Sequence, residues 1–436
     1  MSTDAADPAA ECAHLVEFKQ FLAAIAEKAA AVSGEEVTAT RSCVTRASSD
    51  TYKVSSEERH AELVSSIWQQ LNSCGCPEVF RLKLLHRSAQ QLEQDLCCAK
   101  ECEINSEGPP QYDLLKLQKF ASVELEKFLL KLTDNAAMDR LKDYADEGAL
   151  CLDPRNCLCQ VGRPPLLHTS AAVKNKPRKM EDRHVCLERF GEMYQLPCKE
   201  SRFFGVFDGH SGSLSACYAI SQLPQLLADQ LKVDTDCDSC SPDFYRNAFE
   251  SAFLLADERF TQKKITSGTT SVCALIVKDQ LCIAWVGDSK ALLVGKRTQL
   301  QLVKPHKPEN PDERKRIEKA GGTVIHAQGQ WRVNGILNVA RSIGDYSLEA
   351  VIAEPDFVDV QLNEAHDFLV LGTDGLWDHV TEAQVIETVY ESLADSTTKL
   401  DDIPRLLIEA AKEGDSQDNI TAVVVLLKPR DQIGNG

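Results

Sequence analysis

Four aspartates in this chain stand where apolar runs stop or begin. Asp208 closes the run in "FFGVFDGHSG", Asp288 closes "AWVGDS", Asp374 closes "VLGTDG", and Asp418 in "DSQDN" comes just before "ITAVVVLLK". The segment "KMEDRHV" adds Glu181 and Asp182 at the start of another strand-like stretch. A single Asp-Gly is ordinarily a hairpin turn, so the argument rests on the set. Carboxylates gathered at one end of a sheet repel and raise one another's pKa unless a counter-charge relieves them. Hard divalent cations do so. Magnesium and manganese take oxygen ligands in octahedral geometry, keep several waters, and need only a few carboxylates plus a backbone carbonyl. Gly209 and Gly375, directly after two of the acids, let backbone approach an ion or substrate closely. His210, two residues beyond Asp208, has the side chain best suited to carry a proton near neutral pH.

These residues need strands and turns to hold them. "RFFGVFDG", "TTSVCALIVK", "QLCIAWVGDSKALLVG", "FVDVQL", "DFLVLGTDG" and "TAVVVLLK" are short, rich in β-branched and aromatic residues and bounded by turn residues, which predicts strands. The second and the "LCIAWVGDSKALLVG" part of the third are separated only by Asp279 and Gln280, a hairpin spacing. Helical periodicity appears between them in "SPDFYRNAFESAFLLADERFTQKK", "PDERKRIEKAGG" and "EAQVIETVYESLADS". Hairpins imply antiparallel pairing, so the expected fold class is α+β, a central antiparallel β-sandwich flanked by helices rather than a doubly wound sheet. Earlier in the chain, "LVEFKQFLAAIAEKAAAV", "HAELVSSIWQQLNSC", "PEVFRLKLLHRSAQQLEQDL" and "YDLLKLQKFASVELEKFLLKL" repeat apolar residues at three and four, as amphipathic helices do. The polar stretch Ser33 to Glu58 reads as a long loop, and "NSEGPPQ" breaks the helices again. At 436 residues the chain exceeds one ordinary core. Two domains are expected: an all-α N-terminal region over 1–155, regulatory or partner-binding, and a catalytic domain over 160–430.

The net charge of −18 argues against nucleic acid and anionic membranes as partners, since both want a positive surface. No apolar run reaches the ~18 residues of a membrane span. The N-terminal "MSTDAADPAAEC" lacks the basic and apolar regions of a signal peptide, so a cytoplasmic location is expected. "KNKPRK", Lys174 to Lys179, resembles a nuclear-import patch by composition, which would add the nucleus, although its place before "MED" suits the rim of a phosphate site better. The 17 cysteines are odd in number and scattered through apolar and helical stretches, and read as buried thiols. Cys74 with Cys76, Cys97 and Cys98 with Cys102, and Cys151 with Cys157 and Cys159 lack the paired spacing of a structural zinc site.

Taken in order, "FDGHSG", "GTTSVCALI", "WVGDSKALL", "HKPENPDERKRIEKAGG", "NVARSIGD", "GTDGLWD" and "SQDNIT" resemble the metal-dependent serine/threonine protein phosphatases of type 2C, the PPM family, over roughly residues 160 to 430. The resemblance implies a two-metal centre in a cleft at one end of the sandwich. Asp208 is similar to the aspartate that bridges both metals. Asp374 and Asp418 look like ligands of one ion, Glu181 and the carbonyl of Gly209 like ligands of the other. Asp288, with Asp374, resembles the pair that holds a weaker third ion, and Asp182 and Asp378 look like contacts made through water or through a ligand. Two Mg2+ or Mn2+ ions per catalytic domain are implied, with an activated water attacking phosphorus in line. His210 is then the general acid that protonates the departing serine or threonine. Phosphorylated proteins are the implied substrates. The helical extension and "RKMEDRHV" look most like the branch that dephosphorylates calmodulin-dependent kinases and binds exchange factors of the PIX type, which implies protein kinases as substrates and a protein partner for the N-terminal helices. The alternative reading is a weakly active scaffold whose helical N-terminus recruits signalling partners.

The sequence departs from the family pattern at Pro177, where many relatives carry a phosphate-binding arginine. Arg178 and Lys179 are the candidate substitutes. If the segment is a strand, alternation of faces puts Lys179 on the side of Glu181 and Arg178 on the other. Ala340 and Asp415 also depart from the pattern, at places that touch no expected ligand. Asn338 to Asp356 resembles the edge of the family's flap, where substrate selectivity arises, and Arg341 within it is expected to fix the flap rather than bind phosphate.

Overall fold

The computed structural model describes residues 13–32, 51–96, 102–104, 108–133, 141–145, 166–232, 241–295 and 298–433. The chain divides into two compact units, Met1–Pro164 and Pro165–Gly436.

Helices Ala13–Val32, Arg59–Ser73, Glu78–Leu96 and Leu114–Lys131 dominate the first unit. Their buried residues follow helical spacing, as in Leu114, Leu117, Ala121, Leu125 and Leu129 of the last one. Phe18 stacks on Phe80 with ring centroids 4.0 Å apart. The reading of an all-helical region needs one addition, a small antiparallel sheet of β1 (Lys53–Ser55), β2 (Glu103–Ile104) and β3 (Gln111–Asp113), in the order β1-β3-β2. Strands of two or three residues are too short for a two-residue alternation to register. β1 therefore lay hidden in the stretch read as loop. The last helix begins at Leu114, where the Asp113 carboxylate caps it by accepting the Lys116 N–H at 3.0 Å.

The second unit contains β4 (His168–Val173), β5 (Arg183–Leu187), β6 (Ser201–Phe207), β7 (Gly209–His210), β8 (Gly268–Thr269), β9 (Ser271–Val277), β10 (Gln280–Val286), β11 (Lys290–Gly295), β12 (Thr298–Gln301), β13 (Val324–Ala327), β14 (Gln330–Val333), β15 (Ile343–Gly344), β16 (Asp356–Gln361), β17 (His366–Gly372) and β18 (Ile420–Leu426). One five-stranded sheet runs β16-β10-β9-β6-β5 and the other β12-β11-β17-β18-β4, all antiparallel. Phe204, Val206, Val272, Ala274 and Ile283 from the first share one core with Leu293, Leu369, Leu371, Val423 and Val425 from the second. The intervening residues of the second sheet, among them Leu292, Phe368, Val370 and Val424, pack instead on Val385, Val389, Leu407 and Ile408 of helices Glu382–Ala394 and Ile403–Glu413. With both faces covered, these strands read as continuous apolar runs.

Two sequence expectations change in detail. "QLCIAWVGDSKALLVG" is two strands in different sheets, because the chain turns at Gly287 (φ 92°) and crosses from β10 to β11. The β9–β10 hairpin turns at Lys278 and Asp279, with Lys278 at φ 53°, one residue earlier than the spacing suggested. Helices Leu214–Leu231 and Ile403–Glu413 escaped the sequence reading. The first is buried on most sides and carries an internal proline, Pro224, so neither a clean stripe nor a favourable propensity marks it.

The expectation of buried thiols holds at Cys76, Cys102, Cys198, Cys273 and Cys282, whereas Cys74 is exposed and Cys186 and Cys217 are half-buried. Cys97, Cys98, Cys151, Cys157 and Cys159 lie outside the described residues. Among the described residues, no helix is long and apolar enough to cross a membrane.

Candidate active site

The acids singled out from the sequence lie where strands end, held by short bonds between distant segments. Asp208 follows the last residue of β6. Its N–H donates to Thr270 Oγ1 at 3.3 Å and its carbonyl accepts the Thr270 N–H at 2.9 Å. Thr270 in turn shares a 2.7 Å hydrogen bond with the Ser289 hydroxyl, beside Asp288 on the crossover between the sheets. Asp374 opens the short helical turn Asp374–Trp377 after β17. The preceding Thr373 donates its hydroxyl to Asp182 Oδ2 (3.1 Å) and accepts the Thr421 N–H (3.1 Å).

Gly209 and Gly375 let backbone approach backbone closely. A Cβ on Gly209 would lie 2.5 Å from the Glu181 carbonyl oxygen, and one on Gly375 would collide with the Asn419 carbonyl. Each glycine lets one backbone segment press on another, and so brings Glu181 beside Asp208 and Asp418 beside Asp374.

Charge shows which acids share the site. Burial, then the charges of Asp182, Asp374, Asp288 and Asp418, hold the Asp208 carboxyl well above the ordinary aspartate range. Burial, then Asp288, Asp418 and Asp378, push Asp374 up to about 8. Asp182 is pushed up to about 6, by burial first, although Thr421 and Thr373 both donate to it. Its other oxygen, Oδ1, is buried without a donor. Buried acids that destabilise one another's ionised form, one with an orphaned oxygen, fit a divalent cation and its waters. Among the described residues no three His, Cys, Asp or Glu side chains form a ready-made cage. Glu181 is set by its own contacts: its carboxylate accepts the Gly212 N–H at 3.2 Å, in the loop after His210.

Three contacts within the candidate site lay outside the sequence reading. His210 Nε2 is 2.7 Å from Asp345 Oδ2, in the segment read as flap edge. The Lys307 ammonium forms an ion pair with Asp288, and the charges of Asp374 and Asp378 also reach it. Burial disfavours that ammonium, but the acids, Asp288 foremost, hold its pKa above the ordinary lysine value. Asn419 staples the Glu181 loop: its Oδ1 accepts the Glu181 N–H at 2.6 Å, and its Nδ2 donates to the carbonyls of Lys174 (2.8 Å) and Lys179 (3.1 Å). The motifs "NVARSIGD", "HKPENP" and "SQDNIT" contained all three residues, yet nothing local indicated what they would face.

Residues 174–182 form a bent loop between β4 and β5. Alternation of strand faces therefore does not apply, and the preference for Lys179 over Arg178 is withdrawn. Both side chains are exposed. Arg341 has the structural role expected of it, since its guanidinium is taken up by Glu313, the Glu354 carbonyl (2.9 Å) and Asp356 (3.0 Å). Arg316 ties Glu313 to the Ala340 and Ala350 carbonyls, and a small core of Ile317, Val324, Val333, Ala340 and Ala350 lies beneath.

Comparison with known proteins bears on the same region. The family profile described as Protein phosphatase 2C matches residues 167–420. The chain is 31% identical over 395 residues to Protein phosphatase 1E of Mus musculus, covering 88% of this chain and 48% of that protein. It is 38% identical over 271 residues to Protein phosphatase 1F of Homo sapiens, covering 61% and 58%. The chain thus spans about half the length of the curated relatives it matches. A solved structure described as a C.elegans sex determining protein aligns with a TM-score of 0.73 over 97% of this chain and 96% of that one, at 21% identity. A serine-threonine phosphatase 2C from Toxoplasma gondii aligns with a TM-score of 0.51 over 61% and 96%, at 23% identity. At these identities the two structures establish the fold alone. The profile, by contrast, matches more than half of the chain, and every candidate site residue falls inside the matched span: this protein belongs to the protein phosphatase 2C family.

Proposed function

We propose that this chain hydrolyses phosphoserine and phosphothreonine esters in proteins with the help of two divalent cations. The observation that carries the reading is the cluster of Asp182, Asp208, Asp288, Asp374 and Asp418, whose burial and mutual charge hold Asp208 and Asp374 well above the ordinary aspartate range beside His210. Dependence on magnesium or manganese is general to the family. Asp208 would touch both ions, Asp374 and Asp418 one, Glu181 and the Gly209 carbonyl the other, and Asp288 with Asp374 a weaker third. When bound, such ions supply positive charge to the phosphoryl oxygens and make an attacking water more acidic. The protein's own part is to fix the acids through Thr270, Thr373 and Asn419, and to hold a proton on His210 for the leaving oxygen. Arg178 and Lys179, exposed on the loop that carries Glu181, would rim the phosphate.

The N-terminal helices would select partners, with protein kinases among the substrates and the cytoplasm, and the nucleus besides, as the place of action. The similarity to Protein phosphatases 1E and 1F supports that branch. A weakly active scaffold draws no support from a site that retains each of these acids. The test is phosphate release from phosphoserine and phosphothreonine peptides with manganese or magnesium and then with excess chelator. Turnover unchanged by chelator would sink the reading.

A further inference from the structure

We infer that Asp345 is a positioning residue for His210, fixing the imidazole so that Nδ1 is the atom that delivers a proton to the leaving group; this rests on the proposed phosphatase reading. The two residues are 135 positions apart and come together through the small antiparallel sheet β15-β8-β7. In that sheet Gly268 pairs with His210 on one side and with Gly344 on the other. The 2.7 Å bond from His210 Nε2 to Asp345 Oδ2 passes over Gly268, where a Cβ would collide with both atoms. Only glycine at the central position leaves room for it.

The acid is built in on every side. Ser342 donates its hydroxyl to the same Oδ2 at 2.6 Å. The Asp345 N–H donates to the Ser267 carbonyl (3.3 Å), and the Ser267 hydroxyl reaches back to the Gly212 carbonyl (2.9 Å), just beyond His210. The neighbouring Gly344 N–H donates to Asp257 (2.7 Å), and Ser215 donates to the Ile343 carbonyl (2.7 Å). Asp345 itself has φ 54°, a backbone conformation that costs a non-glycine residue and persists only where the surroundings impose it. So many bonds on a strained backbone place one carboxylate oxygen on one ring nitrogen.

A carboxylate oxygen facing an imidazole accepts, so the hydrogen on Nε2 is committed to Asp345 and the ring can neither flip nor swing. Nδ1 is the nitrogen left for chemistry. As the ester P–O bond breaks, its electron pair stays on the serine or threonine oxygen, which takes the proton from Nδ1. Water supplies the oxygen that bonds to phosphorus and releases a proton to solvent. Without Asp345 the ring would turn freely, and the acid would be present but misaimed.

The experiment compares a phosphothreonine peptide with 4-nitrophenyl phosphate, whose leaving group needs little protonation, in the full chain with manganese. Asp345→Asn should lower kcat on the peptide by roughly 10–100-fold, the usual worth of a residue that orients another. KM should stay unchanged and the loss on the aryl ester should be several-fold at most. In a His210→Ala background the same substitution should cost nothing further. Proton NMR supplies a readout independent of turnover: the Nε2-bound hydrogen of His210, identified by its loss in His210→Ala, should resonate downfield and be lost in Asp345→Asn. Equal losses on the two esters, losses that add to those of His210→Ala, or no such resonance in the unsubstituted protein would each overturn the inference. Should Asp345→Asn not fold, Ser342→Ala, which removes one donor from Oδ2, should show the same selective pattern at smaller size, and its absence counts equally against the inference. Failure of the unsubstituted protein to release phosphate from either ester would instead remove the phosphatase reading, with the resonance still deciding the geometry.

Discussion

The ammonium of Lys307 pairs with the carboxylate of Asp288 across two segments joined by backbone: the His306 N–H donates to the Gly287 carbonyl at 2.8 Å, and the Gly287 N–H donates to His306 Nδ1 at 3.1 Å. The pair places a monovalent cation among Asp288, Asp374 and Asp378, the acids next to the place assigned to a weaker third ion.

Lys307→Met should therefore act in opposite directions with and without ions. With chelator, the buried Asp288 loses its partner and the melting temperature should fall by several degrees. With millimolar manganese or magnesium the rise in melting temperature should exceed that of the unsubstituted protein, because a cation no longer competes with the ammonium. Calorimetry on both proteins decides it. An equal rise would show that Lys307 does not contend with ions.

Asp374→Asn separates charge from shape. Removing one carboxylate from the proposed ion site should lower kcat on phosphopeptides by about 10²–10³-fold. With chelator, the same change should stabilise the fold at alkaline pH. Asp374 in the native protein keeps its proton up to about 8, while an aspartate in the unfolded chain releases it near 4. Between those values the native state binds more protons than the unfolded state, so this residue's contribution to stability falls as pH rises. Asparagine does not titrate. The melting temperature of the variant minus that of the unsubstituted protein should climb between pH 4 and 8 and level off above, at about 2–4 °C for each kcal/mol. A difference independent of pH would show that the carboxyl is not perturbed.

Asn419→Ala removes the clamp on the Glu181 loop while leaving every candidate ligand side chain in place. The manganese concentration for half-maximal activity should rise by about 10–100-fold, as it does when the groups that orient ligands are lost, with kcat at saturating metal nearly unchanged. A fall in kcat with unaltered metal dependence would place Asn419 elsewhere in the mechanism.

The chain from Pro165 to Gly436, a compact unit with its own cores, should fold and hydrolyse 4-nitrophenyl phosphate at a rate within a few-fold of the full chain, while its preference among phosphoproteins changes. A folded fragment without activity on this small ester would show that the first 164 residues complete the site.

Most of the architecture was legible because the signals behind it are local. Continuous apolar runs bounded by glycine, aspartate and asparagine report strands buried on both faces, and stripes at three and four report helices, whatever the rest of the chain does. The acids at Asp208, Asp288, Asp374 and Asp418 stood out for the same reason: each interrupts a run within one or two residues. Where pattern and propensity disagree, as around Pro224, or where a strand is only three residues long, as at Lys53–Ser55, the local signal was too weak to find the element.

What lay beyond reach was every fact that depends on which segments become neighbours. A single apolar string proved to be β10 and β11 in separate sheets, and that crossing carries Asp288 to the site. Lys174 to Asp182 looked like the approach to a strand but bends as a loop, since Asn419, some 240 residues later, takes up its backbone groups. Asp345 meets His210 only because β8 pairs with both β7 and β15. Side-chain type and spacing are written in the sequence and specify which groups can do chemistry. The partner each group faces follows from strand order and register, which the packed core selects from contacts far apart along the chain, and so tertiary structure alone decided that the histidine has an acid behind it and that Asp288 and Asp374 have a lysine beside them.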